Sequence, residues 1–231
     1  MLAEIAHLCR HAPATLALKY RLPQDELYAT LIARADAAGL AAKRAELVAG
    51  LSGRVLELGC GTGSMFRHYR DVDVVAIEPD AAFAKHAHEA AQSASVAIEV
   101  LEGRGEAIPL PDASVDAAVV ALVLCSVPDV DAVARELARV VRPGGALRLV
   151  EHVKSEHRVA GALMNALDPL WLRLNGQGCH MNRNPLPALE RHGFAFDRVE
   201  PFQLWSAGMP AFPMLLAVGS RRDASPTTKH M

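Results

Sequence analysis

The chain has 231 residues, of which 51% are hydrophobic and 22% are charged, and its formal net charge at pH 7 is −2. A chain of this length and composition can bury a sizeable core and is typical of one globular domain. The small net charge, with no lysine and arginine stripe along any predicted helix, argues against binding to a phosphate backbone. Nucleic acid is therefore not an expected partner.

The four cysteines, Cys9, Cys60, Cys125 and Cys179, are far apart along the chain. They form no C-x-x-C pair and no cleavable apolar leader precedes them, so their spacing predicts neither a disulfide framework nor a metal site. Charged residues interrupt the N-terminal stretch too early for a membrane-spanning helix. We therefore expect a cytoplasmic protein without stable membrane insertion.

The chain opens with leucine and alanine at helical spacing over residues 25–51, which predicts a helical lid segment, residues 1–51. From residue 54 onwards short apolar runs alternate with helical stretches, and the predicted strands are 55–58, 72–77, 97–101, 115–124 and 146–150. Such alternation is typical of parallel strands joined by right-handed crossovers. The run 119–124 is apolar at every position, as a sheet covered on both faces requires. We expect a doubly wound α/β sheet.

The second half of the chain is less regular. It contains a predicted amphipathic helix at 131–141, ended by the Pro143-Gly144-Gly145 turn, and another helix at 185–192, followed by further strands at 194–200 and 215–218. Residues 153–182 show no clear period. We expect one catalytic domain over residues 52–222 and a disordered polar tail at 223–231.

A glycine-rich segment follows the first predicted strand. An apolar run that contains Glu57 leads into the alternate glycines Gly59, Gly61 and Gly63, and a helix is expected after them. Glycine permits positive φ and close approach of a ligand to the backbone, and a helix N-terminus favours a carboxylate or phosphate. The segment therefore predicts a binding loop for a partly anionic ligand.

Two kinds of cofactor suit such a loop. The dinucleotide fingerprint places another small residue where this chain has Met65 and Phe66, and Glu57 would repel a pyrophosphate. S-adenosylmethionine carries an ammonium and a sulfonium, which a carboxylate at Glu57 favours, while the loop amides can receive its carboxylate. At the end of the next strand Glu78, followed by Pro79, is placed to accept hydrogen bonds from ribose hydroxyls. We therefore interpret the loop as a site for S-adenosyl-L-methionine.

With these residues, the chain resembles the class I S-adenosylmethionine-dependent methyltransferases, and within them the branch with the Leu-Cys-Ser-Val motif that includes the methyltransferase-like 7 thiol methyltransferases. The matching segments are Leu56 to Gly63, Glu78-Pro79, Gly105-Glu106, Leu122 to Val127, Arg142 to Gly145, Glu151-His152-Val153 and Gly178-Cys179-His180. The resemblance covers roughly residues 42–199. It implies a Rossmann-like sheet of about seven, mostly parallel strands.

The resemblance also implies roles for particular residues. Cofactor contacts are expected from Glu57, Gly59, Cys60, Gly61, Gly63, Glu78, Pro79, Gly105, Glu106, Ala121 and Leu122. Among these, Gly105 and Glu106 would border the adenine, and Ala121 and Leu122 would flank the methionine moiety. His152 and His180 are the candidate general bases near the acceptor, with a structural role as the alternative for each. Cys125 and Cys179 are expected to serve in packing, because methyl transfer needs no covalent enzyme intermediate.

The predicted activity is methyl transfer to a small, rather apolar molecule, with a thiol as the leading acceptor and a phenol or carbon nucleophile next. The segment Cys125-Ser126-Val127-Pro128 replaces the signature of amino-group methyltransferases, which disfavours nucleic-acid methylation. A nicotinamide-dependent oxidoreductase and a non-catalytic cofactor-binding protein remain the alternatives. An apolar acceptor pocket is expected from Trp171, Leu172, Phe202, Trp205, Met209 and Phe212.

Overall fold

The computed structural model describes residue 19 and residues 21–206 and 213–222. Residues 1–18, the polar tail, Met209 and Phe212 of the sequence predictions lie outside these described residues. The helices are α1 (Gln24–Ala35), α2 (Ala41–Val48), α3 (Ala81–Gln92), α4 (Val130–Val140), α5 (Arg158–Asn175) and α6 (Leu186–Arg191). The strands are β1 (Gly53–Leu58), β2 (Val72–Glu78), β3 (Ile98–Glu102), β4 (Val115–Ala121), β5 (Val141–His152), β6 (Phe194–Gln203) and β7 (Pro213–Arg221).

The seven strands form one sheet in the order β3-β2-β1-β4-β5-β7-β6. Every pairing from β3 to β5 is parallel, whereas β7 runs antiparallel to both β5 and β6. Central positions such as Leu56, Val75 and Val119 are at most 1% exposed, because helices cover both faces of the sheet. The prediction of a doubly wound, mostly parallel α/β sheet of about seven strands is confirmed.

The predicted single helix over 25–51 is wrong in one respect, since it is divided into α1 and α2. The five residues Asp36–Leu40 between them form a π-helical turn, and Gly39 within it has φ 117°. Arg44 of α2 is only 2% exposed and donates to both carboxylate oxygens of Asp36, at 2.9 and 3.1 Å. This ion pair fixes the bend between the two helices.

The fourth strand ends at Ala121, three residues before the predicted end at residue 124. Leu122 takes φ 63°, a conformation that a strand does not contain, and the chain turns there. The turn is held by Glu151 of β5, which is fully buried and whose Oε1 accepts from the N–H groups of Val123 at 2.7 Å and Leu124 at 2.8 Å. The end of β4 is thereby fixed to the end of β5.

An 18-residue helix, α5, occupies much of the stretch 153–182 in which the sequence predicted no element. Gly161 and Pro169 lie within it, and both residue types weaken or interrupt a helix, which explains why the pattern was not recognised. The helix ends at Gly176 in the left-handed conformation, φ 69°. No helix within the described ranges has the length and apolar character needed to cross a membrane.

We predict that Glu151→Ala lowers the free energy of unfolding by about 3 kcal/mol, because it leaves two N–H groups at the end of β4 without their acceptor. Chemical denaturation monitored by circular dichroism measures this. The control is Glu99→Ala on β3, whose side chain is 62% exposed and whose replacement should change stability by less than about 0.5 kcal/mol. Equal stability of the two variants would contradict the role of Glu151.

Candidate cofactor and acceptor site

The glycine loop has the backbone conformation that its sequence predicts. Gly59, Gly61 and Gly63 have φ 66°, 56° and 76°. A Cβ atom on Gly59 would lie 2.6 Å from Cγ2 of Val123, so the loop and the turn after β4 can approach each other only at a glycine. The N–H groups of Gly59 and Cys60 donate to the carbonyl of Ile77 at 2.8 and 3.1 Å, which ties the loop to β2.

The predicted helix after the loop is absent. Residues 61–65 form turns, and a single 3-10 turn, Phe66–His68, follows. The connection to β2 is short, and Asp71 at its end has φ 55°, which directs the chain straight into the strand. The backbone amides of the loop, and not a helix dipole, are therefore the groups available to an anionic end of the cofactor.

Glu78 lies at the carboxyl end of β2, as predicted, and is 6% exposed. Its Oε2 accepts from the N–H of Gly61 at 2.8 Å, and its Oε1 accepts from the N–H of Asp80 at 3.1 Å. Burial raises the pKa of Glu78, and the two backbone hydrogen bonds oppose this shift. The carboxylate thus adjoins the glycine loop at the sheet edge where the ribose hydroxyls are expected, with Pro79 exposed beside it.

Glu57 is 1% exposed and lies at the end of β1. Burial raises its pKa to about 8, although the Tyr69 hydroxyl and the Arg44 guanidinium both lower it. A carboxyl group in this state holds its proton at neutral pH until a cation approaches. The ammonium and sulfonium of S-adenosylmethionine are such cations, so the residue fits the cofactor that the sequence predicted.

The residues predicted to border the adenine follow β3, whose last residue, Glu102, pairs with Glu78. Gly105 packs tightly, since a Cβ there would lie 3.1 Å from Cγ2 of Val133 in α4. Glu106 accepts from the N–H of Asp129 at 3.5 Å and lies 3.8 Å from Arg104. Glu78 and this segment thus occupy the same end of the sheet.

The residues predicted to flank the methionine moiety lie at the neighbouring strand end. Ala121 is the last residue of β4, and the N–H of Leu122 donates to the carbonyl of Val150 at 2.9 Å. Because the side chain of Val123 lies against Gly59, Ala121 and Leu122 adjoin the glycine loop. The cofactor residues predicted from β1 to β4 are therefore arranged along one edge of the sheet.

Tyr28, in α1, was not recognised from the sequence. Its Cε1 atom lies 3.4 Å from the position of a Cβ on Gly61, and its ring packs edge-on against Phe83 at 5.1 Å between centroids. Burial raises the pKa of the Tyr28 hydroxyl above its usual range. The side-chain amide of Gln24 also donates to the carbonyl of Gly176 at 2.7 Å. The helix α1 therefore extends from the cofactor loop to the segment after α5. Tyr28 is the only aromatic residue of α1, and this was the one sequence feature that could have indicated a contact with the loop.

The two predicted histidines come together at this end of the sheet. His152 ends β5 and is 6% exposed, and its Nε2 lies 2.7 Å from Sγ of Cys179. His180 is the next residue along, and its Nδ1 lies 2.7 Å from Oδ2 of the buried Asp168 in α5. The backbone N–H of His180 donates to the carbonyl of Cys125 at 2.8 Å.

These contacts also bring together cysteines that are far apart in the sequence. Ligand atoms of Cys125, His152 and Cys179 all lie within 4.8 Å of one another. The sequence spacing gave no indication of this cluster, because its members come from three separate segments. Cys125 and Cys179, which were expected to serve in packing, therefore also lie within reach of His152.

The comparisons with known proteins agree with this geometry. Residues 56–149 match the family described as "Methyltransferase domain". Thiol S-methyltransferase TMT1A of Homo sapiens is 36% identical over 177 residues, which cover 71% of this chain and 72% of that protein. Thiol S-methyltransferase TMT1B of Rattus norvegicus is 36% identical over 152 residues, which cover 63% of this chain and 62% of the relative.

The structure of a geranyl diphosphate methyltransferase in complex with S-adenosylmethionine superimposes with a TM-score of 0.63 at 15% identity, covering 80% of this chain and 85% of that one. The fold, the glycine loop and the acidic strand ends together define an S-adenosylmethionine-dependent methyltransferase of class I. Within this class, the chain belongs to the family of the TMT1A and TMT1B methyltransferases.

We predict that Glu78→Ala weakens binding of S-adenosylhomocysteine by about 1.5 to 3 kcal/mol, since charge-assisted hydrogen bonds to the ribose are lost. Isothermal titration calorimetry measures the affinity. Glu99→Ala, on the exposed surface of β3, is the matched control and should bind as the wild type does. Unchanged affinity of the Glu78 variant would remove this residue from the site.

We further predict that the cofactor-free protein loses stability as the pH rises from about 5 to about 8. The folded state keeps the Glu57 proton up to a pKa of about 8, whereas the unfolded chain releases it near the ordinary value of 4.5. Glu57→Gln removes this proton, so its unfolding free energy should decline less over the same range, by about 3 kcal/mol. Denaturant titrations at pH 5, 6.5 and 8 test this, and parallel pH profiles for the two proteins would contradict it.

Proposed function

We propose that this methyltransferase transfers the methyl group of S-adenosylmethionine to the sulfur of a small, rather apolar thiol. The relationship with a thiol S-methyltransferase over 71% of the chain is the observation that carries this proposal. The arrangement of His180, Asp168 and their neighbours at the carboxyl edge of the sheet supports it, because open α/β sheets bind their substrates at that edge.

The acceptor side offers an apolar wall beside polar groups. Trp171 of α5 packs against Met164 and Met181, a cluster that adjoins the Asp168 and His180 pair. Of the other predicted lining residues, Trp205 is 41% exposed and Phe202 packs against the core on the β6 side. An apolar wall with a few polar groups is typical of a site for a small ligand.

The bound cofactor supplies an electrophilic methyl group, so the protein has to orient the acceptor and remove its proton. The acceptor must be held about 3 Å from the methyl carbon and in line with the bond that breaks. A thiol reacts as its thiolate, and the proton therefore has to leave first. As the new S–C bond forms, the electron pair of the sulfonium S–C bond stays with the departing thioether.

His180 is the better placed of the two candidate bases. Its Nδ1 is bonded to Asp168, an arrangement that fixes the orientation of the ring, and Nε2 remains as the atom that can take the thiol proton. Oδ1 of Asp168 also accepts from the N–H of Met181 at 2.7 Å, which holds the carboxylate in position. The Nε2 atom of His152 instead faces Cys179.

We predict that the protein methylates thiophenol and that phenol, its oxygen counterpart, reacts far more slowly. His180→Gln should lower kcat/KM for an alkyl thiol such as phenylmethanethiol, which is almost entirely protonated at pH 7, by roughly 100-fold or more, since general-base catalysis is lost. The loss should shrink as the pH rises above the pKa of the thiol, because the acceptor is then ionised in solution. Product formation by mass spectrometry and pH–rate profiles measure both effects.

His192→Gln is the matched control, since His192 lies beyond α6 and contacts Asp131 at 3.3 Å. This variant should retain the wild-type rate. Both variants should bind S-adenosylhomocysteine normally. Methylation of phenol in preference to thiophenol would overturn the proposed acceptor, and a pH-independent loss in the His180 variant would overturn its role as base.

A further inference from the structure

Three side chains with soft donor atoms converge at the acceptor end of the sheet. Cys125 follows the turn after β4, His152 ends β5, and Cys179 lies in the segment after α5. Cys125 is 3% exposed, His152 is 6% exposed and Cys179 is half-buried. Their donor atoms lie within 4.8 Å of one another, which is close enough for all three to contact one ion.

The backbone of Cys125, His152 and Cys179 is held by hydrogen bonds that do not involve their own side chains. Asn175 accepts from the N–H of Cys179 at 3.3 Å and donates to its carbonyl at 2.9 Å. The carbonyl of Cys125 accepts from the N–H of His180, and His152 is held by its pairing with Met214 of β7. The backbone at the three residues is therefore held in place before binding, and only the side chains have to adjust.

The donor set selects a class of ion. Two thiolate sulfurs and an imidazole nitrogen are soft and borderline ligands, and Zn²⁺ takes these in tetrahedral geometry. Two thiolates also neutralise the double charge of the ion, which favours burial. With bonds of about 2.3 Å to sulfur and about 2.0 Å to nitrogen, neighbouring donors stand about 3.5 Å apart. His152 Nε2 and Cys179 Sγ, at 2.7 Å, would separate by about 1 Å on binding.

We propose that Cys125, His152 and Cys179 bind a Zn²⁺ ion whose fourth coordination position receives the sulfur of the acceptor. Among the described residues, the cluster contains these three metal-ligating side chains and no fourth, so one position of a tetrahedral ion is left for a ligand. Three protein ligands with an open position are typical of catalytic zinc sites. The second half of this proposal rests on the proposed thiol acceptor, whereas metal binding itself does not.

Coordination explains how the acceptor thiol is ionised and oriented at once. A thiol bound to Zn²⁺ at this position would lose its proton readily, and the proton would pass to water. The ion would hold the acceptor sulfur as a thiolate, and a lone pair of this sulfur would form the new S–C bond while the electron pair of the broken sulfonium S–C bond stays on the sulfur of S-adenosylhomocysteine. The methylated product, a neutral thioether, binds Zn²⁺ weakly and leaves.

Metal titration of the full-length reduced protein tests the site without any activity. Co²⁺, which substitutes for Zn²⁺ and absorbs when bound to thiolates, should bind with one equivalent and be displaced by Zn²⁺. Cys125→Ser, Cys179→Ser and His152→Ala should each weaken binding by about 100-fold or more. Cys60→Ser removes a buried cysteine outside the cluster and should bind the metal as the wild type does.

Circular dichroism and thermal unfolding of each variant show whether it folds. Cys179 is the least buried of the three residues, so its replacement is the least disruptive to folding. If the Cys179→Ser variant is folded and still binds Co²⁺ as the wild type does, the proposed site is wrong. Absence of Co²⁺ and Zn²⁺ binding by the reduced wild-type protein would also overturn it. A Cys125–Cys179 disulfide found by mass spectrometry, together with that absence, would identify the pair as a redox site instead.

A second measurement separates this proposal from the proposed function. Addition of thiophenol to the Co²⁺ protein should shift its absorption spectrum, whereas phenol should leave it unchanged. Removal of the metal with a chelator should lower the rate of thiophenol methylation by at least about 100-fold, and Zn²⁺ should restore it. Equal rates in the metal-free and zinc-loaded proteins would overturn the catalytic role of the metal and leave thiol methylation intact. Metal binding without thiol methylation would overturn the acceptor instead.

Discussion

The hydrogen bonds between the buried Glu151 carboxylate and the turn after β4 are the constraint on which the site depends. They fix where the strand ends, and Leu122 then directs the chain across the sheet edge. The same turn places Val123 against Gly59 and brings Cys125 towards His152. A carboxylate with no exposed surface thus determines the position of residues on both the cofactor side and the acceptor side.

The two sides of the site are built in different ways. The cofactor side consists of the ends of neighbouring parallel strands, so Glu57 and Glu78 are positioned by the sheet itself. The acceptor side is formed by α5 and the segment after it, which meet the sheet through the carbonyl of Cys125. The sheet therefore positions the residues on the cofactor side. The residues on the acceptor side are positioned by contacts between distant parts of the chain.

The predictability of the structure from the sequence follows this division. The existence of the strands and the backbone conformation of the glycine loop were predicted correctly because their signals, apolar runs and alternate glycines, are local, although the predicted end of β4 and start of β5 were wrong. The helix expected after Gly63 was wrong, since the short connection to β2 leaves room only for turns. Helix α5 was missed because Pro169 interrupts its pattern. Tyr28 and the cysteine cluster were missed because only the tertiary fold brings them to the site.

The attachment of the segment after α5 has an evolutionary consequence. Asn175 and Asp168 bind it to its own helix, so the helix and the segment form one unit, which meets the sheet through the contacts of His180 with Cys125 and of Cys179 with His152. Mutations within this unit can reshape the acceptor side of the site without disturbing the strand ends on the cofactor side. An enzyme with this fold can therefore acquire a new acceptor through substitutions in this unit while the ends of the parallel strands keep their positions.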